Sequence, residues 1–213
     1  MNSFIQPNMF SVGPRHWPFG GLEPMSYDFI MCDPPWLFRN YSELGDEKGP
    51  APHYDMMPDE EILALPVGDL GRENCVLWLW ATWPKLETAM AAIQHWGFAY
   101  KTGGAWHKQR WGTGYIWRST CEPVLIATRG DPVINGKSIP NHFTEARREH
   151  SRKPDVAYEL AEKMMPRARR VSLFERPVRA GWDAWGDQLG KAPGRQRPKR
   201  VKENPPLLSI MEV

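Results

Sequence analysis

An α/β domain with a largely parallel sheet is the fold class this sequence predicts, and three observations predict it. Short apolar runs recur at Tyr27–Cys32, Asn74–Ala81, Pro123–Thr128 and Arg170–Glu175, each bounded by polar, glycine or proline residues, as buried strands are. Segments of helical character lie between several of them, which is the alternation of a βαβ sheet. The 213 residues, 41% of them hydrophobic, suffice for one domain with a sizeable core.

Each element follows from local chemistry. Residues 1–26 hold many glycines and prolines without a clear period and read as an irregular lead-in. The run YDFIMC is apolar on both faces and stops at Asp-Pro-Pro, since proline cannot donate to a ladder. Residues 37–57 are polar and longer than an ordinary connection, as functional or mobile loops are. A short helix starts near Pro58, with Asp59, Glu60 and Glu61 in the first turn where the helix dipole favours them. Pro84 opens a helix that runs to about Trp96 and stops at Gly97. A strand follows near Phe98–Lys108, then a second glycine-containing loop at residues 109–119, then the Pro123–Thr128 strand. Residues 131–152 read as polar and irregular. Ser151 or Lys153 caps a helix with Pro154 in its first turn, running to about Met165. The folded domain spans residues 1–190, and residues 191–213 form a basic, disordered tail.

Composition excludes several classes. No apolar run approaches the roughly 20 residues a membrane span needs, and the N-terminus lacks a secretion-signal pattern, so a cytoplasmic protein is expected. Cys32, Cys75 and Cys121 are far apart, each in or beside an apolar run, and read as buried free thiols. The histidines show no metal-ligand spacing, and no metal is expected. Six basic and two acidic residues give the tail a net +4, which leaves −2 on residues 1–190 of a total of +2. The folded part is thus no strongly basic nucleic-acid binder; the tail either attracts phosphates or is simply a solvated end. Eleven tryptophans are many. Most belong in a core, and a few suit a ring-shaped ligand.

In open α/β sheets ligands bind beyond the carboxyl ends of strands, and Asp33-Pro34-Pro35-Trp36 directly follows one. The exocyclic amine of adenine is a poor nucleophile because its lone pair is delocalised into the ring. Acceptors around its N–H groups favour a pyramidal nitrogen with the lone pair aimed at an incoming methyl group. The Asp33 carboxylate and the Pro34 carbonyl can be those acceptors, Pro34 and Pro35 make the backbone rigid, and Trp36 offers a flat face for an unstacked base. The plainer reading is a strand-ending turn with a core tryptophan.

On these residues the sequence resembles the DPPW-type N6-adenine methyltransferases, the family of the catalytic subunit of the eukaryotic mRNA methyltransferase, with bacterial and phage members. The resemblance covers about Tyr27 to Gln188. It includes His53–Met57, Val76–Trp80, Trp106-His107-Lys108, Gly112–Tyr115, Glu122, Arg129-Gly130, His150–Asp155, Leu173–Arg176, Gly181-Trp182 and Trp185–Gln188. It implies a single-domain Rossmann-like methyltransferase sheet with permuted motif order, the catalytic motif first and the cofactor-binding strand last, which accounts for the lack of an N-terminal GxGxxG. It implies S-adenosylmethionine as methyl donor, with Lys153 on its carboxylate, Arg176 near its ribose, Asp187 and Gln188 on its ribose hydroxyls and adenine, and Phe174 as cofactor wall as much as core. Asp187 stands where the eukaryotic member has asparagine, and the stretch Trp17–Leu22 takes the place of an acidic residue that grips the cofactor adenine there.

For the substrate, the loops at 37–57 and 109–119 flank the catalytic strand end. Tyr54, Trp106, Lys108 and Tyr115 are candidates for holding the target base or its backbone, with Glu122 ordering these loops. Arg147, Arg148 and Arg152 meet phosphates or form a solvated face. The expected partner is nucleic acid, DNA rather than RNA given the compact chain, with a homodimer possible for grip. The alternatives are the same reaction on RNA, a non-catalytic nucleic-acid-binding scaffold, and methylation of another planar amine such as cytosine or a protein glutamine.

Overall fold

The computed structural model describes residues 17–37, 56–112, 116–135, 139–146, 152–174 and 179–186. In chain order the elements are β1 (Tyr27–Cys32), α1 (Asp59–Ala64), β2 (Gly71–Trp80), α2 (Leu86–His95), β3 (Ala99–His107), β4 (Cys121–Arg129), β5 (His142–Thr144), α3 (Asp155–Met164), β6 (Arg170–Leu173) and β7 (Trp182–Trp185), with short 3-10 turns at Val67–Leu70 and Trp83–Lys85. The strands form one seven-stranded sheet in the order β5-β3-β4-β2-β1-β6-β7.

β1 lies near the centre, parallel to β2 on one side and to β6 on the other. Its continuous apolar run follows from that position, because a central parallel strand is covered on both faces. Ile30 and Cys32 point to one core layer with Leu77, Leu79, Val171 and Leu173, packed under Ala89, Ala92 and Ile93 of α2. Phe29 and Met31 point to the other, with Val76, Trp78, Trp80 and Trp106, packed under Ala157, Tyr158 and Ala161 of α3. The molecule is therefore a three-layer sandwich with the sheet in the middle. Most described tryptophans are core, and Trp80 meets Trp106 edge to face at 6.1 Å.

The sheet is largely parallel, as the sequence suggests, with one exception. β4 runs antiparallel to both β2 and β3, while the other pairs are parallel. The segment after β3 turns straight back as a hairpin, so no crossover helix intervenes. Two edge strands carry no sequence signal. β5 is only three residues with Phe143 alone buried, too short to carry a period. β7 lies among half-buried residues, and Trp182 is its one buried position.

Local signals elsewhere behave as chemistry requires. α1 begins at Asp59 with three acids in its first turn, and Lys85 ties Asp59 to the start of α2 at 2.7 Å. α2 ends on Gly97 at φ +78°, the left-handed residue that commonly follows a helix. Cys32 and Cys75 are free and buried, Cys121 half-buried; burial pushes the Cys75 thiol up to about 12, so it stays protonated and inert. Among the described residues no helix is long and apolar enough to cross a membrane.

One close approach is testable. A Cβ on Gly68 would lie 2.1 Å from the carbonyl oxygen of Trp96, where only backbone movement can relieve it. Gly68→Ala is expected to destabilise the protein by about 2 kcal/mol, as overpacked cores do, read as a lower denaturant midpoint. An unchanged midpoint would show that the 3-10 turn shifts freely against α2.

Candidate active site

The carboxyl ends of β1, β2, β6 and β7 all open on one side of the sheet, and β4 begins there because it runs backwards. Asp33 leaves the end of β1, and its backbone N–H still donates to Leu173 O at 3.3 Å. The two prolines then fold the chain tightly, with the Trp36 N–H donating to Pro34 O at 2.8 Å. A carbonyl has two lone pairs, so Pro34 O keeps the capacity for one further donor. Met57 N–H donates to Pro35 O, which tethers the far end of the loop to this turn.

Lys153 immediately precedes the cap of α3 and reaches the same point. Its ammonium lies 2.9 Å from Asp33 Oδ1 and 3.1 Å from Glu122 Oε2, and Glu122 Oε1 takes Lys108 at 3.2 Å. The Lys153 side chain is 12% exposed and sits over the Trp80 ring, 5.0 Å from its centroid. Two carboxylates and two ammoniums thus form a neutral chain from the β1 end through β4 to β3. Burial pushes the Glu122 carboxyl upward, but Lys153 and Lys108 outweigh it and hold it below its ordinary range. Burial pulls the Lys153 ammonium down, but Asp33 and Glu122 more than reverse this and hold it above its ordinary range.

The signs fix a pH dependence. The Glu122 contribution to stability is present above its ordinary value of 4.5 and lost as pH falls through its lower folded value. The Lys153 contribution is present below 10.5 and lost only as pH rises past its higher folded value. Glu122 and Lys153 therefore stay charged across neutral pH. Below about pH 4.5, the melting temperature of Glu122→Gln should fall less steeply with acidification than that of the unsubstituted protein; parallel acid limbs would show that Glu122 has no part in the acid sensitivity.

Several residues expected at the site are placed otherwise. Trp36 is buried at 4% exposure, with its indole N–H on Trp80 O at 3.0 Å. It braces the turn from beneath and offers no open face to a base. Trp106 is 2% exposed, with its N–H on Glu145 O at 2.9 Å, and is a core residue. In both, burying the large apolar ring against the sheet wins, and a backbone carbonyl satisfies the N–H. Lys108 and Glu122 belong to the ion cluster. Pro154 takes the cap position of α3, not the first turn. Tyr54, Tyr115, Arg176, Asp187 and Gln188 lie outside the described residues, as do Arg147, Arg148 and the tail.

Two residues with a part in the geometry are not among the site candidates read from the sequence. Trp80 joins the site through its carbonyl, which holds Trp36, and its ring, which lies beneath Lys153. Glu145 caps α3, accepting the N–H groups of Asp155 at 3.3 Å and Val156 at 3.0 Å, and so fixes where Lys153 emerges. Neither role involves a short sequence pattern that could have revealed it.

Beside Asp33, the end of β6 carries Phe174 at φ +64°, its N–H bonded to Trp185 O at 2.6 Å. Phe174 meets Trp185 edge to face at 5.1 Å, Trp185 meets Phe19 at 5.0 Å, and Phe19 meets Trp17 at 5.2 Å. The Trp17–Leu22 stretch thus packs against the end of β6 and β7, with Phe19 buried and Trp17 half-buried. The Asp33 turn is joined to the β6 end that carries this aromatic wall through Leu173, and to Lys153 through an ion pair.

A central strand ending in an acid-proline-proline turn, beside a late strand that ends in that wall, defines a Rossmann-like α/β methyltransferase. The chain belongs to the MT-A70 family, which matches residues 27–188 and whose members are S-adenosylmethionine-dependent N6-adenine methyltransferases. It is 31% identical to an N(6)-adenosine-methyltransferase MT-A70-like protein of Arabidopsis thaliana, over 77% of this chain but 24% of that protein. It is 26% identical to the type II methyltransferase M.MunI of Mycoplasma sp, over 84% of each chain. It is 28% identical to the N(6)-adenosine-methyltransferase catalytic subunit METTL3 of Homo sapiens, over 75% of this chain and 28% of that one. The chain thus spans about a quarter of the length of these eukaryotic relatives and most of the length of M.MunI.

Proposed function

We propose that this chain methylates the N6 amino group of adenine in DNA. The observation that carries the reading is the meeting of Asp33 and Lys153 at 2.9 Å, 120 positions apart in sequence, at the carboxyl end of a central strand. DNA is favoured by the similarity to M.MunI, a type II methyltransferase, across 84% of both chains.

The donor set fits S-adenosylmethionine. Lys153 has three N–H donors and places two of them on Asp33 and Glu122, so a methionine carboxylate can take the third. The wall of Phe174 and Trp185 suits its adenine, with Arg176, Asp187 and Gln188 proposed for the rest of the nucleoside. When bound, it supplies an electrophilic methyl group on a sulfonium centre. The protein's part is positional and electrostatic. Asp33 accepts a hydrogen bond from the N6 amine, since its pairing with Lys153 does not exhaust the roughly four lone-pair sites of a carboxylate. Pro34 O accepts the second N–H. Together they turn the nitrogen lone pair toward the methyl group, and Trp36, pinned on Trp80 O, keeps the turn from drifting. Lys153 holds Asp33 in place at 2.9 Å.

The experiment supplies a labelled methyl donor with single-stranded DNA, duplex DNA and RNA, and identifies the modified nucleoside by mass spectrometry. N6-methyldeoxyadenosine is the expected product. Label confined to RNA would move the reading to the RNA substrate, which the 31% identity to the Arabidopsis protein also supports; label on cytosine or protein would overturn the N6 assignment.

A further inference from the structure

The hairpin between β3 and β4 carries surface that neither the core nor the ion cluster uses. Its stem continues the sheet beyond the paired residues His107 and Cys121. Lys108 N–H donates to Thr120 O at 2.9 Å and Gly112 N–H to Ser119 O at 2.7 Å, so the two arms stay together past the edge of the domain. Because β4 begins at the carboxyl end of β2, the hairpin projects on the same side as Asp33. Its root is the Lys108–Glu122–Lys153–Asp33 chain itself.

On this stem Trp111 is 79% exposed, Ile116 97% and Trp117 85%. In a chain that buries most of its tryptophans, two fully presented indoles beside an exposed isoleucine signal a binding surface. Arg110 and Arg118 flank them, both exposed, and the sequence from Lys108 to Thr120 contains no Asp or Glu. Aromatic rings interleaved with guanidinium groups and free of carboxylates match stacked bases and phosphates. A second copy of the chain is a poorer occupant, since a two-fold interface would bring together two copies of a stem whose charged groups are all basic.

We infer that this hairpin is a nucleic-acid wedge, in which Trp111, Ile116 and Trp117 stack on the bases flanking the target adenine while Arg110 and Arg118 hold the adjoining phosphates. This rests on the nucleic-acid reading above and adds the element that grips the strand. Removing an adenine from its stack leaves flanking bases to be covered, and side chains rooted 13 residues from one another at Lys108 and Cys121 on a rigid sheet can cover them from the site's own edge.

The test uses the full chain, with Trp111→Ala/Trp117→Ala and Arg110→Gln/Arg118→Gln as variants. All four positions are exposed, so folding is untouched. Binding of a fluorescein-labelled DNA oligonucleotide is followed by anisotropy across a salt series, alongside methylation kinetics. The tryptophan pair should weaken DNA binding and raise KM at least about tenfold, with kcat and S-adenosylmethionine affinity nearly unchanged and the salt slope retained. The arginine pair should lower the salt slope by about two, one for each guanidinium withdrawn from a phosphate. Wild-type DNA affinity and KM in the tryptophan variant would overturn the wedge, as would a change of oligomeric state in sedimentation without loss of DNA binding. Failure of the unsubstituted protein to methylate any nucleic acid would count against the proposed reaction, and the anisotropy would still decide the wedge.

Discussion

Asp33→Ala is expected to abolish methylation, lowering turnover at least about 10²–10³-fold, the scale on which enzymes lose rate when one preorganised group at the reacting centre is removed. The fold should survive. Lys153 keeps Glu122 as a partner at 3.1 Å, and the backbone of residue 33 retains its bond to Leu173. Asp33→Asn separates charge from shape. It keeps an acceptor oxygen but not the ionised group that pairs with Lys153, so it should recover little of the rate. The measurements are single-turnover methylation and thermal melting of both variants. Near-normal turnover in Asp33→Ala would take this carboxylate away from the reacting amine.

The second large effect lies at Lys153. Replacing it with methionine leaves the Asp33 and Glu122 carboxylates without their shared cation, at a site where the lysine side chain is only 12% exposed. Breaking such a pair by removing one partner costs about 3 kcal/mol, which in a domain of this size lowers the melting temperature by roughly 6–12 °C. S-adenosylmethionine affinity, measured by calorimetry, should fall by more than about tenfold, because the proposed partner of its carboxylate is gone. Lys153→Arg should recover much of the stability but not the affinity. Its planar fork cannot take the place of a compact ammonium between two carboxylates and over the Trp80 ring. Unchanged melting and unchanged affinity in Lys153→Met would leave this lysine with no part in the site.

What is legible in the sequence divides along a physical line. The strand Tyr27–Cys32 is legible to the residue because a central parallel strand has no polar face to hide in the pattern. Lys153 is legible through its motif, and the fold brings it to Asp33. Trp36 and Trp106 are open in sequence between facing a base and packing in the core, because an indole in either place looks alike there; the fold buries both. Trp80 and Glu145 are illegible because they act in part through a carbonyl, and through caps on the α3 amides, which no residue pattern reports. The direction of β4 is hidden for a related reason. Whether a segment turns back as a hairpin or crosses over through a helix depends on the loop between strands, and residues 109–119 carry no strong hairpin signal.

The placement of β6 has a consequence for how the protein is made. Asp28 and Arg169 join the start of β1 to the start of β6 across 141 positions, so the strand on one flank of β1 leaves the ribosome long after β1 itself. Until then one long edge of an apolar strand has no neighbour. Pairings this distant in sequence slow folding because loop closure precedes their reward. A nascent or truncated chain lacking β6 and β7 leaves that edge open to other chains, the condition under which unpaired apolar strands associate.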